Sequence, residues 1–195
     1  NFSVPYAAHL AILKNTINQH KPFFVFLLKF VLFYLIFTLI YKFYLNQFNV
    51  ENHEVDGITE FVANQTKNTL VFFGNECEIR KHESESSFKV LYFNKYLARI
   101  IEGCNAISVI ILFASFVFAF SAKFKTTFLF ILLGSALIFV LNILRIALLT
   151  IGLYYYPEYE EFLHNIVFPV VIYGVVFVLW IVWVIKFSSY AKRND

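Results

Sequence analysis

Four long apolar runs alternate with shorter polar segments along this chain. The runs cover Phe23 to Tyr44, about Gly103 to Phe120, Phe128 to Thr150, and Ile166 to Phe187. Each is about 20 residues long, the length that an α-helix needs to cross a hydrocarbon core of about 30 Å. The pattern therefore predicts an all-α integral membrane protein with about four transmembrane helices. The first run is too long for a signal peptide and has no small-residue cleavage site after it, so we expect it to remain as an anchor.

The polar segment between the first two runs, about residues 46–102, predicts a small cap outside the membrane. Asp56 to Thr66 has the pattern of a short helix with Asp56 as its N-cap. Val71 to Gly74 and Phe88 to Phe93 predict a hairpin that is connected by the polar stretch Asn75 to Ser87. We expect one membrane domain, residues 23–187, between a cytoplasmic N-terminal segment, residues 1–22, and a cytoplasmic tail, residues 188–195.

Composition excludes an ordinary soluble domain. Hydrophobic residues make up 59% of the chain, charged residues 15%, and the mean hydropathy is +0.67. The net charge of +3 is spread beside the apolar runs and forms no single basic patch, so we expect a lipid bilayer as partner and no nucleic acid. The five histidines show no metal-ligand spacing, and no phosphate-binding loop occurs. We therefore expect neither a metal nor another cofactor.

Basic residues in the short connections set the expected orientation, because Lys and Arg are enriched on the cytoplasmic side. The connection between the second and third runs carries Lys123 and Lys125, and both chain ends are basic. By contrast, the connection 151–165 has three Glu and no Lys or Arg, and residues 46–102 have nine acidic against six basic residues. This predicts a multi-pass protein of the cell inner (cytoplasmic) membrane, with the cap and the 151–165 connection outside the cytoplasm.

Three residues with reactive or charged side chains fall at that outer face. Arg145 lies five residues before the end of the third run, and an arginine within a span costs roughly 2.5–3.5 kcal/mol, so such residues are usually functional. Asn142 is one turn earlier on the same helical side. Cys104 begins the second run and His164 immediately precedes the fourth. At about 1.5 Å per residue, Arg145 is expected only about 7–8 Å below the outer end of its helix, level with the other two.

These residue types together favour acyl transfer. A cysteine thiolate is a nucleophile, and a nearby imidazole can take its proton and later protonate a leaving amine. The guanidinium of Arg145 stays charged and can stabilise an oxyanion. The sequence therefore predicts a cysteine enzyme with Cys104, His164 and Arg145 as its catalytic residues.

Three short motifs in this order resemble the exosortase/archaeosortase family. They are Glu102-Gly103-Cys104-Asn105-Ala106-Ile107-Ser108, then Leu141-Asn142-Ile143-Leu144-Arg145-Ile146, then Leu163-His164-Asn165. The resemblance covers roughly Pro22 to Phe187, and the length is most similar to the compact exosortase F subtype. One departure is Ala106, which stands where the cysteine motif of the family usually has Gly.

The resemblance implies a membrane-embedded cysteine peptidase or transpeptidase. Such an enzyme acts outside the cytoplasm on exported proteins that carry a short C-terminal sorting signal. It implies Cys104, Arg145 and His164 as the active-site positions, with Asn142 and Asn105 in supporting roles.

Other interpretations stay open at this point. Cys77 lies on the same side as Cys104, where an oxidising compartment would permit a disulfide between them. Arg145 could serve structure alone, by reaching the headgroups or pairing with a carboxylate of Glu158, Glu160 or Glu161. The competing functions are a noncatalytic membrane assembly or scaffold subunit and a thiol-dependent lipid acyltransferase.

Overall fold

The computed structural model describes residues 20–120 and 122–187, so most of the predicted N-terminal segment and the whole predicted tail lie outside the described residues. Helices and strands follow in chain order: α1 (Lys21–Leu45), α2 (Gly57–Phe72), β1 (Cys77–Lys81), β2 (Phe88–Tyr92), β3 (Lys95–Ile100), α3 (Ile107–Ala119), α4 (Phe124–Tyr155) and α5 (Phe168–Val182). Short 3₁₀ turns lie at Val50–Asn52, Glu102–Cys104 and Pro157–Tyr159, and π-helical turns flank α5 at Leu163–Val167 and Trp183–Phe187.

Within the described residues, three helical stretches are long and apolar enough to cross a membrane. They are α1, α4 and the run Pro157–Phe187, which contains α5. The predicted helical multi-pass protein is thus confirmed, but the second predicted span differs. Its helix, α3, has 13 residues, which is about 20 Å and shorter than a bilayer core of about 30 Å. The chain before Ile107 is held in a turn, and helix formation starts only after it.

The membrane part of the molecule is held together by packed aromatic rings and small residues. A buried cluster joins α3, α4 and α5 through Phe113, Ile138 and Val176. The ring of Phe116 stacks on Trp180 with centroids 4.3 Å apart. Helix α1 has no buried residue and contacts α3 from one side through its phenylalanines. Lipid tails are as apolar as these side chains, so the hydrophobic effect does not favour one arrangement of the helices over another. Close packing therefore orients them.

The cap combines helix α2 with a three-stranded antiparallel sheet in the order β1-β2-β3. Asp56 is the N-cap of α2, as predicted, and its Oδ1 accepts from the N–H groups of Ile58 and Thr59 at 3.1 and 3.0 Å. The predicted hairpin is correct for its second strand and wrong for its first. Phe88 to Tyr92 is a strand, but its partner is Cys77–Lys81, because Val71 and Phe72 continue α2 instead of starting a strand. β3 was not predicted.

The C-terminal third of α4 belongs to the core of the cap. Ile146 and Ala147 are buried in one cluster with cap residues such as Val62 and Tyr92. Helix α4 has 32 residues, about 48 Å, so it extends well beyond a bilayer core. Arg145 therefore lies ten residues before the helix end, about 15 Å, and not 7–8 Å as predicted. The cap covers that extra length, which places Arg145 where the cap meets the membrane helices.

Candidate active site

Cys104 ends a 3₁₀ turn that connects the cap to α3. Its N–H donates to the carbonyl of Ile101 at 2.9 Å, and its side chain is half-buried with a free thiol. Two residues later, Ala106 adopts φ 64°, ψ 2°, in the left-handed region that favours glycine. A left-handed residue cannot continue a right-handed helix, and this is why α3 starts at Ile107 and not near Gly103. Ala106, the departure from Gly in the cysteine motif, thus occupies a backbone conformation that glycine adopts without strain.

The side chain of Asn142 fixes the backbone of Cys104. Asn142 is 1% exposed, and its Nδ2 donates to the carbonyl oxygen of Cys104 at 2.7 Å. The bond joins α4 to the turn before α3 across a sequence separation of 38 residues. A buried amide with a good partner rigidifies its surroundings, since leaving it unpaired would cost about 1–3 kcal/mol. Asn142 thus contacts both the backbone of Cys104 and the guanidinium of Arg145.

Asn105 anchors the same turn from the other side. It is buried, its Oδ1 accepts from the N–H of Ile107, and its Nδ2 donates to the hydroxyl of Tyr41 at 2.7 Å and of Thr59 at 3.2 Å. Tyr41 in turn donates to a carboxylate oxygen of Glu102 at 2.7 Å. This network connects α1, α2 and the cysteine turn, so it fixes the height of Cys104 relative to the first membrane helix.

The guanidinium of Arg145 has few partners. Nη1 lies 3.5 Å from Oδ1 of Asn142, at the limit of a hydrogen bond, and the buried Nε has no acceptor among the described residues. None of the ion pairs found in the described part of the chain includes Arg145 or Glu158, Glu160 and Glu161. A buried N–H group that lacks an acceptor is costly unless an oxygen ligand completes it.

His164 lies on the π-helical turn that leads into α5. Its Nδ1 is 3.0 Å from Oδ1 of Asn165. An amide oxygen can only accept, so Nδ1 donates in this contact, and a neutral imidazole of this tautomer has Nε2 as its acceptor. The π-helical turn changes the side-chain spacing locally, and such turns are frequent at functional sites. The imidazole is exposed and thus free to reach a neighbouring group.

One cavity brings the three predicted catalytic residues together. It has a volume of about 340 Å³, and Cys104, Arg145 and His164 all line it. The remaining wall comes from β3, from α4 and from Glu160. A second cavity of about 320 Å³ is also lined by Arg145 and His164, and continues toward α3 and α5 past Asn142 and Tyr173. Arg145 and His164 thus separate a space against the cap from a space among the membrane helices.

Two residues near His164 were missed as candidates for the cavity. Glu160 was considered only as a partner of Arg145, although it lies four residues before His164 and so on the same helical side. Asn165 was quoted within a motif without a role, yet its side chain contacts the imidazole. Sequence spacing could have indicated Glu160. The Asn165 contact depends on side-chain rotamers, which no local pattern predicts.

Cys77 is not part of the site. It is 8% exposed in the core of the cap, and both cysteines are free, so the structure does not contain the Cys77–Cys104 disulfide. Burial raises the pKa of the Cys77 thiol, although the charge of Lys67 acts in the opposite direction. A thiol of this kind is a poor nucleophile at neutral pH.

Comparison with known proteins places the chain in a family. The family described as transmembrane exosortase (Exosortase_EpsH) matches residues 22–184, which include the cap, the cysteine turn, α4 and most of the run that contains α5. No curated protein and no solved structure matches the chain. Because the match extends over most of the sequence and contains Cys104, Arg145 and His164, this chain belongs to the transmembrane exosortase family.

Proposed function

We propose that this protein is a membrane-embedded cysteine peptidase or transpeptidase of the compact exosortase F subtype. It processes C-terminal sorting signals of exported proteins at the outer face of the inner membrane. The family match supports a membrane protein that processes sorting signals. The observation that carries the catalytic proposal is the cavity of about 340 Å³ that Cys104, Arg145 and His164 line together.

In the proposed reaction, Sγ of Cys104 attacks the scissile carbonyl carbon while Nε2 of His164 takes the thiol proton. The amide C–N bond then breaks, the proton moves from His164 to the leaving amine, and a thioester remains on Cys104. Water or an amine, deprotonated by His164, attacks the thioester and releases the product. The contact between Nδ1 and Asn165 supports this role, since it favours the tautomer of the neutral imidazole in which Nε2 is the acceptor.

Arg145 stabilises the oxyanion of the tetrahedral intermediate in this proposal. Its buried Nε has no acceptor within the described part of the chain, so an N–H donor is available for a developing negative charge. The charge is preformed and partly dehydrated, and no reorganisation is needed during the reaction. Asn142 acts through other groups: it bonds the Cys104 carbonyl and contacts the guanidinium, which keeps nucleophile and oxyanion donor in register.

Trapping of the acyl-enzyme tests this function. The intact protein in membranes, supplied with exported proteins from its own cells, should form a hydroxylamine-sensitive adduct on Cys104 that mass spectrometry identifies as peptide. Cys77→Ser should form the same adduct, because the buried Cys77 is outside the cavity, whereas Cys104→Ser should form none. A fatty-acyl adduct would favour the lipid acyltransferase instead, and normal sorting with Cys104→Ser would favour the scaffold subunit.

A further inference from the structure

Strand β3 is an edge strand, and its free side can be identified from the hydrogen bonds of the sheet. Antiparallel neighbours alternate between hydrogen-bonded and non-hydrogen-bonded pairs. Two bonds at the ends of the β1–β2 ladder fix the alternation: Phe93 N donates to Glu76 O at 3.0 Å, and His82 N donates to Ser87 O at 2.9 Å. Counting inward by twos from either bond along the observed register, Lys89 forms a hydrogen-bonded pair with its β1 neighbour.

Arg99 is the β3 neighbour of Lys89, so its backbone groups point away from the sheet. The N–H and C=O of a residue in an antiparallel strand face the same side. Ile101, two residues on, faces the same way; its C=O accepts from the N–H of Cys104, and its N–H stays available. Outside the sheet ladders, no backbone hydrogen bond among the described residues involves residues 95–100. The edge beside Cys104 thus presents Arg99 N–H, Arg99 C=O and Ile101 N–H.

This free edge borders the active-site cavity. The five consecutive residues 97–101 all line the cavity together with Cys104 and His164. Side chains of a strand alternate between its two faces, so a cavity on one face would contact every second residue. Contact with five in succession means that the cavity lies along the edge of the strand. Five residues of extended chain span about 16 Å, enough for a short extended peptide.

We infer that the substrate polypeptide binds in extended conformation by adding a strand to the free edge of β3, with its scissile carbonyl delivered to Cys104. The inference rests on the proposed function, since it assigns the binding mode of the same site. The occupant is a peptide backbone, because the free groups alternate between donor and acceptor with strand spacing. Cys104 is three positions after Ile101, so a peptide that pairs with Arg99 and Ile101 ends beside the nucleophile.

Backbone pairing also agrees with the apolar pocket beside this edge. Recognition through main-chain bonds is tolerant of side chains, while specificity comes from pockets that receive alternate side chains. The cavity supplies such a pocket between β3 and α4, lined by Ile146, Leu149 and Leu153. The competing explanation is that Lys95 and Arg99 merely protect an idle edge against aggregation.

Proline at position 99 tests the inference in the enzyme. The probe is a peptide that spans the cleavage site of an exported protein found unprocessed in cells with Cys104→Ser. Arg99→Pro removes an N–H that faces away from β2, which edge strands tolerate, and should raise KM for this peptide at least 10-fold. Arg99→Ala keeps the N–H but loses the ion pair with Glu85, so it measures the part of the effect that is due to the side chain, and the KM of Arg99→Pro should clearly exceed it. Lys81→Pro places the same ring on the opposite edge and should stay within 3-fold of wild type.

A second measurement uses the wild-type enzyme and so does not depend on folding of the proline variant. Single N-methyl groups are placed along the same peptide, and KM is expected to rise at alternate residues only. Equal KM for Arg99→Pro and Arg99→Ala, or N-methyl effects without a period of two, would overturn the strand-addition inference alone. If no exported protein accumulates with Cys104→Ser, the proposed function fails, and this inference fails with it.

Discussion

At the scale of single residues, the unusual feature is the half-buried guanidinium of Arg145, which has no carboxylate partner among the described residues. Arg145 contacts Asn142 at 3.5 Å and lines both cavities, yet no ion pair holds it among the described residues. A purely structural arginine at a membrane boundary would reach the headgroups or pair with an acid. The acids nearest in sequence, Glu158 to Glu161, do not serve this purpose in the structure. This arrangement favours a role toward a bound oxygen, such as the oxyanion of an acyl-transfer intermediate.

Substitution Arg145→Lys separates charge from geometry. Lysine preserves the positive charge but not the planar fork of donors. We expect turnover to fall by roughly 10² or more, as when one oxyanion donor is lost, while the amount of protein in the membrane stays normal. The measurement is processing of an exported substrate per unit of inserted enzyme. Turnover within a few fold of wild type would instead support an anchoring role, and with it the scaffold subunit.

At the scale of helices and strands, a ring of α3 that packs directly on the backbone of α4 sets the distance between these two helices. A Cβ added at Gly134 on α4 would lie 2.6 Å from Cε1 of Phe113, whose ring is fully buried on α3. Gly174 on α5 offers a contrast, since a Cβ there would meet nothing within 4 Å. The two glycines thus occupy transmembrane helices for different reasons.

Alanine at these two glycines should have opposite effects. Gly134→Ala forces Phe113 or the helices apart, and overpacking of this kind costs about 1–3 kcal/mol. Gly174→Ala should leave stability unchanged or raise it by up to about 1 kcal/mol, as expected from helix propensity. Thermal unfolding of the detergent-solubilised protein measures both. A similar melting temperature for the two variants would contradict the tight α3–α4 contact.

The cap core contains two weak acids that burial keeps neutral. Burial raises the pKa of the Cys77 thiol and of the Tyr92 phenol above their ordinary values. Both thus contribute stability that is fully present below the pKa of the unfolded chain, about 8.5 for the thiol and about 10 for the phenol. As pH rises past these values the unfolded chain ionises first, and that stability is lost.

Alkaline pH should therefore destabilise the cap. We expect the free energy of unfolding to fall between pH 8 and pH 10.5, by at most about 1.4 kcal/mol per pH unit for each group. Cys77→Ala removes the thiol contribution, so its stability should depend less steeply on pH between 8 and 9.5. The test is the melting temperature across this pH range. An identical slope in wild type and Cys77→Ala would show that the thiol does not contribute.

At the scale of the whole molecule, the cap and the membrane helices share one structural element. The end of α4 is part of the cap core, and the cysteine turn is bonded to both α1 and α4. Because Cys104, Arg145 and His164 all lie at this junction, the side of the membrane that carries the cap decides where the proposed reaction takes place. We propose that this side is outside the cytoplasm.

Accessibility tags test this orientation. Single cysteines replace Ser84, Glu160 and Lys123 in a variant with Cys77→Ser and Cys104→Ser, and all three positions are exposed in the structure. A membrane-impermeant maleimide added to intact cells should label the first two positions and not the third. The cysteine at position 123 should react only after the membrane is permeabilised. Labelling of the cysteine at position 123 from outside would show the opposite topology and contradict the proposed site of action.

The sequence by itself determined the membrane class and three of the spans, and it indicated the residues of the candidate site. Apolar length predicts a span because each buried backbone group must be bonded within its own helix. Asp56 as an N-cap was likewise predictable, because an N-cap depends on residues only two or three positions away. The order of Cys104, Arg145 and His164 and the alternation of charge were enough to predict one common face.

Only the tertiary structure decided the depth of the site and the walls around it. The apolar pattern of the third run did not reveal that the last ten residues of α4 belong to the cap, because apolar residues suit lipid and a protein core equally well. The pairing of β1 with β2, the edge of β3 and the bond from Asn142 to Cys104 join residues far apart in sequence. Such contacts form because the folded chain must satisfy its buried polar groups, a condition that local patterns do not contain.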